Sequence, residues 1–419
     1  MSVSAVGPDA IVLGAGVVGV ATALYLQRAG LATRVLDPLP PGGGASFGNA
    51  GMISADTVTP VALPGMLRQV PKWLADPSGP LAVRPSYLPR ALPWLLRWLR
   101  EGRMTRVRAI SDAMRAINRD AFACWRDLLG AEAFNALVRR SGQIQIWEGD
   151  ALPRSAVIDT ELRARHGIAV QELGADDLRQ MLPGLSPEVR HGRLVPGNGY
   201  LLDPGGAVAA LAGRLRAEGG AIHAERAMKL IPRAGGGWTV MTNIANHTAP
   251  RVVVAAGAWS RTLLAPLGLR VPLETERGYH ATLPAPTIDL RFTIIHKSRG
   301  FGLTSMADGL RVAGTVEIAG LDAPPDERRA EILVAHAHRL FPGLAHGEPR
   351  LWMGFRPSTP DSLPVLGEAP GRPGLFLAFG HGHFGMTGGL PSARLVAALM
   401  TGAAPPIDPA PYRLGRFAA

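Results

Sequence analysis

Cysteine is nearly absent from this 419-residue sequence: Cys124 stands alone. A lone thiol forms no internal disulfide and no Cys-rich metal cluster, so the expectations are no metal site and a reducing, cytoplasmic setting. Lysine is scarce too, at Lys72, Lys229 and Lys297 only, so nearly all of the formal net charge of +11 is arginine. No block of five or six consecutive basic residues occurs, and basic and aromatic residues do not interleave at base-stacking spacing. Charge spread in this way points away from nucleic acid. No run approaches the roughly 18 consecutive apolar residues of a membrane span. No basic residue precedes the first apolar run, so no secretory signal is expected. Charged residues make up 18% against 47% hydrophobic, a globular balance, and the length allows two domains with a large core.

What is present begins with a strand, a glycine turn and a helix. Ala10 to Leu13 reads as a buried parallel strand, and Gly14-Ala15-Gly16-Val17-Val18-Gly19 follows it. A helix is predicted from Val20 to Ala29, stopped at Gly30, then a second strand from Thr33 to Leu36 that ends at Asp37. The spacing gives each glycine a task. Gly14 permits a tight turn, Gly16 lets the backbone approach a pyrophosphate, and Gly19 lets the helix pack close to the strand. The free N–H groups of the helix N-terminus then face the phosphates. Asp37 sits where a carboxylate accepts from ribose hydroxyls.

A second glycine-rich segment, Gly42-Gly43-Gly44-Ala45-Ser46 with Asn49-Ala50-Gly51, comes soon after Asp37. Such a loop suits a cofactor with a second large ring system, and favours FAD over NAD; the competing reading is a surface loop. Near the C-terminus, Gly380, Gly382 and Gly385 repeat the fingerprint, yet no further strand or acidic strand end follows. Their predicted role is to aim backbone N–H groups at the flavin, where a helix N-terminus stabilises the negative charge of the reduced ring.

Between these motifs, residues 85–140 are mostly helical in pattern, and Gln143 to Trp147 alternates like a strand. Pro204 to Glu218 reads as a helix, followed by strands Ala221–His223, Trp238–Thr242 and Arg251–Ala256. Residues 270–353 alternate strands and turns around one helix from Asp326 to Leu340. A last strand, Leu375–Phe379, leads to a helix from about Leu390 to Met400. Nucleotide-type patterns thus stand at the start, middle and end, with a mixed pattern inserted twice. The predicted architecture is α/β. A Rossmann-like FAD-binding domain takes residues 1–51, 150–263 and 354–419, and an inserted α+β substrate domain on a mixed or antiparallel sheet takes 52–149 and 264–353.

The carriers Ile11 to Gly19, Ala45-Ser46, Asn49 to Gly51, Ala255-Ala256-Gly257-Ala258-Trp259-Ser260, Gly354-Phe355-Arg356-Pro357 and Gly380-His381-Gly382 together resemble the FAD-dependent D-amino acid dehydrogenase and glycine oxidase family, over essentially the whole chain. Glu276 to His280 and Gly309 to Thr315 are similar to the D-amino acid dehydrogenase branch. The resemblance implies a glutathione-reductase-like cofactor domain and oxidative deamination of a small D-amino acid. It implies cofactor contacts from Gly14, Gly16, Val17, Val18, Gly19, Asp37, Pro38, Ser46, Asn49, Ala50, Gly51, Met228, Ala256, Gly257, Gly380, Gly382, His383, Phe384 and Gly385. Relatives with covalent FAD carry a cysteine near the C-terminal motif; Cys124 lies far from it, so non-covalent FAD is expected. Glycine-oxidase-like members carry an arginine after Gly-His-Phe, where this chain has Gly385. The alternative chemistry is a dehydrogenase or oxidase of cyclic secondary amines such as D-proline or hydroxyproline.

For the substrate carboxylate, a guanidinium fork matches two oxygens, and Arg356 is the candidate. In a strand from Leu351 to Arg356, alternation puts Trp352, Gly354 and Arg356 on one face. The resemblance places Arg356 over the flavin and has Tyr279 line the pocket; core packing is the other reading of Tyr279. Phe292, Ile294 and His296 share a face, and His296 could orient or receive the amine proton, or be a buried histidine with a structural partner. His383, in the flavin-facing turn, completes the candidate catalytic set. The electron acceptor is left open among oxygen, a quinone and a protein. Leu88, Leu92, Leu95, Leu96 and Leu99 fall on one helical face, with Trp94, Trp98, Arg90, Arg97, Arg100 and Arg103 around it. That helix either rests on an anionic membrane surface or covers the substrate domain.

Overall fold

The computed structural model describes residues 7–149 and 152–418, so the first six residues of the expected 1–51 segment lie outside the described residues. Two sheets organise the chain. One has six strands in the order Ala221–His223, Thr33–Leu36, Ala10–Leu13, Arg251–Val254, Leu375–Phe379 and Val365–Glu368. The first five pair in parallel and the last is antiparallel. Its central strands are short apolar runs buried on both faces, as parallel strands covered by helices must be. The helix Val17–Arg28 packs on one face beside Pro204–Ala217 and Gly385–Thr401.

The second sheet runs Arg350–Ser358, Glu274–Leu283, Gly309–Ile318, Phe301–Met306, Thr293–His296, Gln143–Glu148, Val189–Val195 and Gln171–Leu173, with Leu81–Val83 paired off the main path. Antiparallel pairs dominate, but Thr293–His296 lies parallel to Gln143–Glu148. The helix Arg328–Leu340 covers one face and builds a separate core with Tyr279, Leu303 and Val312. The opposite face looks toward the glycine turn.

Two expected domain boundaries are corrected. Residues 152–195 were assigned to the cofactor domain, yet Gln171–Leu173 and Val189–Val195 are strands of the substrate sheet. Conversely, the helices Met104–Asn118 and Ala121–Leu137 were assigned to the substrate domain. Their Ile110, Met114, Ile117, Trp125 and Leu128 pack in the same core as Val12 and Leu24. Periodicity reports that a segment has a buried face, not which sheet buries it. Helix starts move as well. The first helix begins at Val17 rather than Val20, because the glycine turn is itself the first helical turn. The last begins at Gly385 rather than Leu390, and Pro391 sits inside it.

Candidate active site

The glycine turn is built as its spacing requires. Gly14 has φ of 111°, and a Cβ there would collide with the Ala255 carbonyl. A Cβ on Gly19 would collide with the Gly14 carbonyl. A Cβ on Gly16 would meet only the Ser46 hydroxyl, at 3.4 Å, so the backbone there borders open space. The Val17 N–H donates to Ser46 Oγ at 3.0 Å, which ties the second glycine-rich loop to the first. Asp37 accepts from the Ala15 N–H at 2.7 Å and the Leu39 N–H at 2.8 Å. Burial nevertheless raises its carboxyl above the ordinary value.

These residues border a cavity of about 1370 Å³. That exceeds the roughly 300–1,000 Å³ of an ordinary small-molecule pocket, and leaves room for a dinucleotide and a substrate together. Gly14, Gly16, Val17, Val18, Asp37, Pro38, Ser46, Asn49, Ala50, Met228, Ala256, Gly257, Gly380, Gly382, His383, Phe384 and Gly385 all line it. Gly19 and Gly51 stand behind the wall; a Cβ on Gly51, whose φ is 72°, would crowd the Leu201 carbonyl. The open approach at Gly16, the free helix N-terminus and the cavity volume fit FAD.

Strand parity decides which substrate-sheet residues reach this cavity. His280, Ala313, Gly302, Ile295 and Gln145 are register partners across five strands, so their side chains share one face. Ala313, Gly302, Ile295 and Gln145 line the cavity. Tyr279, Gly314, Phe301 and His296 are the next register row; of these Tyr279, Gly314 and Phe301 also border the cavity and His296 does not. Tyr279 borders the cavity, while its hydroxyl donates to Glu317 Oε2 and accepts from the Asp326 N–H, and its ring packs in the second core. His296 is corrected. It stacks on Phe301 at 5.0 Å, pairs through Nε2 with Glu148 Oε1 at 3.2 Å, and does not line the cavity. Burial pushes its imidazole down to about 4.

Arg356 lies on the cavity face. Its guanidinium lies against Gly278, where a Cβ would collide with it, and donates to the Thr315 carbonyl at 2.9 Å and the Gly314 carbonyl at 3.4 Å. Thr315 holds φ of 50°, a strained value for a β-branched residue, and in that conformation its carbonyl meets Arg356. Among the described residues no carboxylate oxygen comes within 4.0 Å of Arg356. Burial lowers its pKa from the ordinary value, opposed by the charge of Glu276. Glu276 Oε2 accepts from His383 Nε2 at 2.7 Å. Burial would raise the Glu276 carboxyl, but His383 and Arg356 outweigh it and hold the group below the usual carboxylate range.

Three further residues line the cavity. Glu276, in the Glu276 to His280 segment, pairs with His383. Gly278 is the clearance that Arg356 needs. Lys297, next to His296 and so on the other face, lines the cavity. Its only sequence signal was rarity, as one of three lysines.

A parallel dinucleotide sheet, an open glycine turn and a second sheet carrying a cavity-facing guanidinium define a two-domain, cofactor-dependent enzyme. A family model described as FAD dependent oxidoreductase matches residues 9–399. The chain belongs to that family. It is 40% identical over 422 residues to a D-amino-acid oxidase of Bradyrhizobium diazoefficiens, covering 98% of this chain and 99% of that one. It is 32% identical to a D-amino acid dehydrogenase of Vibrio cholerae, covering 96% of each. Among solved structures, glycine oxidase from Geobacillus kaustophilus shares the fold with a TM-score of 0.75 at 23% identity, over 98% of both chains. L-proline dehydrogenase from P. horikoshii also gives a TM-score of 0.75, at 18% identity over 98% of both.

Proposed function

We propose that this chain carries out FAD-dependent oxidative deamination of a small D-amino acid, giving an imino acid that hydrolyses to a 2-oxo acid. The observation that carries the reading is Arg356: a guanidinium held by two main-chain carbonyls, free of any carboxylate within 4.0 Å among the described residues, in the same cavity as the dinucleotide turn. Both curated relatives are named for D-amino acids. When bound, FAD supplies the acceptor for the hydride that leaves Cα.

The chain's own residues do the rest. Arg356 binds the carboxylate through its fork and so fixes the orientation of Cα. Glu276 pairs with His383 Nε2 and so fixes the orientation of an imidazole that borders the cavity beside the substrate amine. The neutral amine is the reactive form, and the apolar wall lowers its pKa by desolvation. Arg356, Glu276 and His383 therefore replace the expected catalytic group of Arg356, Tyr279, His296 and His383. A screen of D-amino acids, L-amino acids and cyclic imino acids with a redox dye, run with and without oxygen, tests the reading. Primary D-amino acids are expected to reduce the dye fastest. Faster turnover of L-amino acids would overturn it, and faster turnover of D-proline would replace it with secondary-amine oxidation.

The electron acceptor in this reading is a quinone reached at a membrane surface. Supporting it, the helix Leu88–Glu101 buries Ala91, Trp94 and Trp98 and turns Leu88, Leu92 and Leu96 outward. Leu67 and Leu74 are exposed beside them on Met66–Ala75, a helix with no buried residue. All five leucines border the cavity mouth. Arg90, Arg97 and Arg100 are exposed along the same helix, and each adds attraction of about 1 kcal/mol to an anionic surface. No helix among the described residues is long and apolar enough to cross a membrane. Turnover with a quinone analogue should exceed turnover in air-saturated buffer. Binding to anionic vesicles at low salt should fall when Arg97 and Arg100 become Glu. Peroxide formed as fast as dye is reduced would make the protein an oxidase.

A further inference from the structure

Lys297 follows the strand Thr293–His296 and projects from the cavity face of the substrate sheet. Its side chain is exposed and borders the cavity. Among the described residues no carboxylate oxygen lies within 4.0 Å of its ammonium. Its neighbours do not balance it. Asp159 is already committed to Arg163 Nε at 2.8 Å and Arg193 Nη1 at 3.0 Å, and accepts a further bond from the Thr59 hydroxyl. Arg193 also pairs with Glu172 at 2.8 Å. Three cations therefore face two carboxylates, and one positive charge is left over at the cavity wall. Gln145, on the same face, buries an amide oxygen with no partner. An anionic group entering the cavity would meet this unpaired ammonium and complete the balance. Desolvation lowers the Lys297 pKa, Asp159 opposes it, and Arg163 and Arg193 lower it further.

Arg356 is another cation of the same cavity with no carboxylate within 4.0 Å among the described residues, and the sheet register sets the span between it and Lys297. Arg356 rests on the carbonyls of Gly314 and Thr315. Gly314 pairs with Phe301, and Phe301 with His296, the residue before Lys297. The two sites are thus separated by two strand spacings, roughly 10 Å of backbone. The flexible lysine stem covers part of that gap, and a short dicarboxylic chain covers the rest.

We propose that Lys297 is the recognition site for a second carboxylate, so that the preferred substrate is an acidic D-amino acid, D-glutamate or D-aspartate, held by Arg356 at its α-carboxylate and by Lys297 at its side chain. The inference rests on the proposed deamination, whose substrate class it narrows. The neutral isosteres D-glutamine and D-asparagine leave Lys297 unmatched and lose that contact.

Two measurements on the holoenzyme test it. The first titrates glutarate and butyrate against the flavin absorbance spectrum, without turnover. Glutarate should bind at least about tenfold more tightly than butyrate, an advantage lost in Lys297→Met and kept in Lys297→Arg. The second compares kcat/KM for D-glutamate with that for D-glutamine. The ratio should exceed about ten, fall toward one in Lys297→Met, and invert toward D-lysine over D-glutamate in Lys297→Glu. Equal binding of glutarate and butyrate by the unaltered enzyme overturns the proposal. So does a ratio that Lys297→Met leaves unchanged. Lys297-dependent glutarate binding without turnover of any D-amino acid would keep the second-carboxylate site and reject the deamination. Turnover of D-alanine with no Lys297-dependent charge preference would do the reverse.

Discussion

At the scale of single residues, the site rests on one guanidinium and the main chain that steadies it. Arg356 spends two N–H groups on Thr315 and Gly314, so the remaining donors keep a fixed direction. Lysine at that position keeps the charge but loses the fork. Arg356→Lys should therefore cost about 2–3 kcal/mol of substrate binding, roughly a 30- to 150-fold rise in KM, measured by steady-state kinetics on the best substrate. Asp37→Ala should weaken FAD more than substrate, read by titrating apo-protein with the cofactor; equal FAD affinity in both forms would refute the ribose role. Buried histidines set a pH response. Burial pushes His280 down to about 3, and His296 and His381 to about 4. Their unfolded values lie near 6.5, so the unfolded chain takes up protons first as pH falls. The stability they contribute is complete above about pH 6.5 and is lost progressively between that value and their folded values. The melting temperature should begin to fall below about pH 6.5, and His296→Gln should flatten that slope.

At the scale of elements, the helix Leu88–Glu101 shows how sidedness is set by packing. The sequence suggested a leucine face, but the buried side chains are Ala91, Trp94 and Trp98, and Trp94 Nε1 donates to the Ser358 carbonyl at 3.2 Å. Three leucines of one stripe are left outside; the neighbouring helix Met66–Ala75 has no fully buried residue, and its Met66 and Val70 pack on the tryptophans instead. Trp94→Ala should lower stability by about 3–5 kcal/mol in a denaturant melt. Leu92→Ser should change it by less than about 0.5 kcal/mol. The C-terminal helix makes a related point. Gly388, Gly389 and Pro391 argue locally against a helix, yet it forms from Gly385 because small residues let it approach the first helix, with Val18 3.3 Å from a Cβ on Gly389. Local propensity lost to tertiary packing there.

At the scale of the whole molecule, the cavity lies between two sheets whose residues interleave along the chain. Cys124 is buried in the core that joins the helix Ala121–Leu137 to the cofactor sheet, and it does not line the cavity. Acid or heat denaturation should therefore release free FAD into the supernatant; flavin retained on the precipitated chain would sink the non-covalent assignment. Because both sheets wall one cavity, FAD should also raise the melting temperature of the whole chain in a single transition. Binding to the native state alone adds about 2.7 kcal/mol at a hundred times Kd.

The dinucleotide half was legible in the sequence because its constraints are local. Gly14, Gly16 and Gly19 are required by a turn spanning six residues, and Asp37 by the end of the next strand, so spacing alone carried the reading. The second loop at Ser46 was legible for the same reason, and its bond to Val17 N–H closes that local unit. The substrate half was legible only in part: alternation put Trp352, Gly354 and Arg356 on one face, and that face lines the cavity. Whether residue 296 or residue 297 borders the cavity depends on which face of an eight-strand path is covered by the helix Arg328–Leu340, and no local pattern records that. Alternation told correctly that Phe292, Ile294 and His296 share a face, but both faces of that strand are flanked by protein, so periodicity could not choose between them. Only the tertiary packing turned Lys297 toward the cavity and His296 away from it, and only the register between strands set Glu276 beside Arg356 and His383.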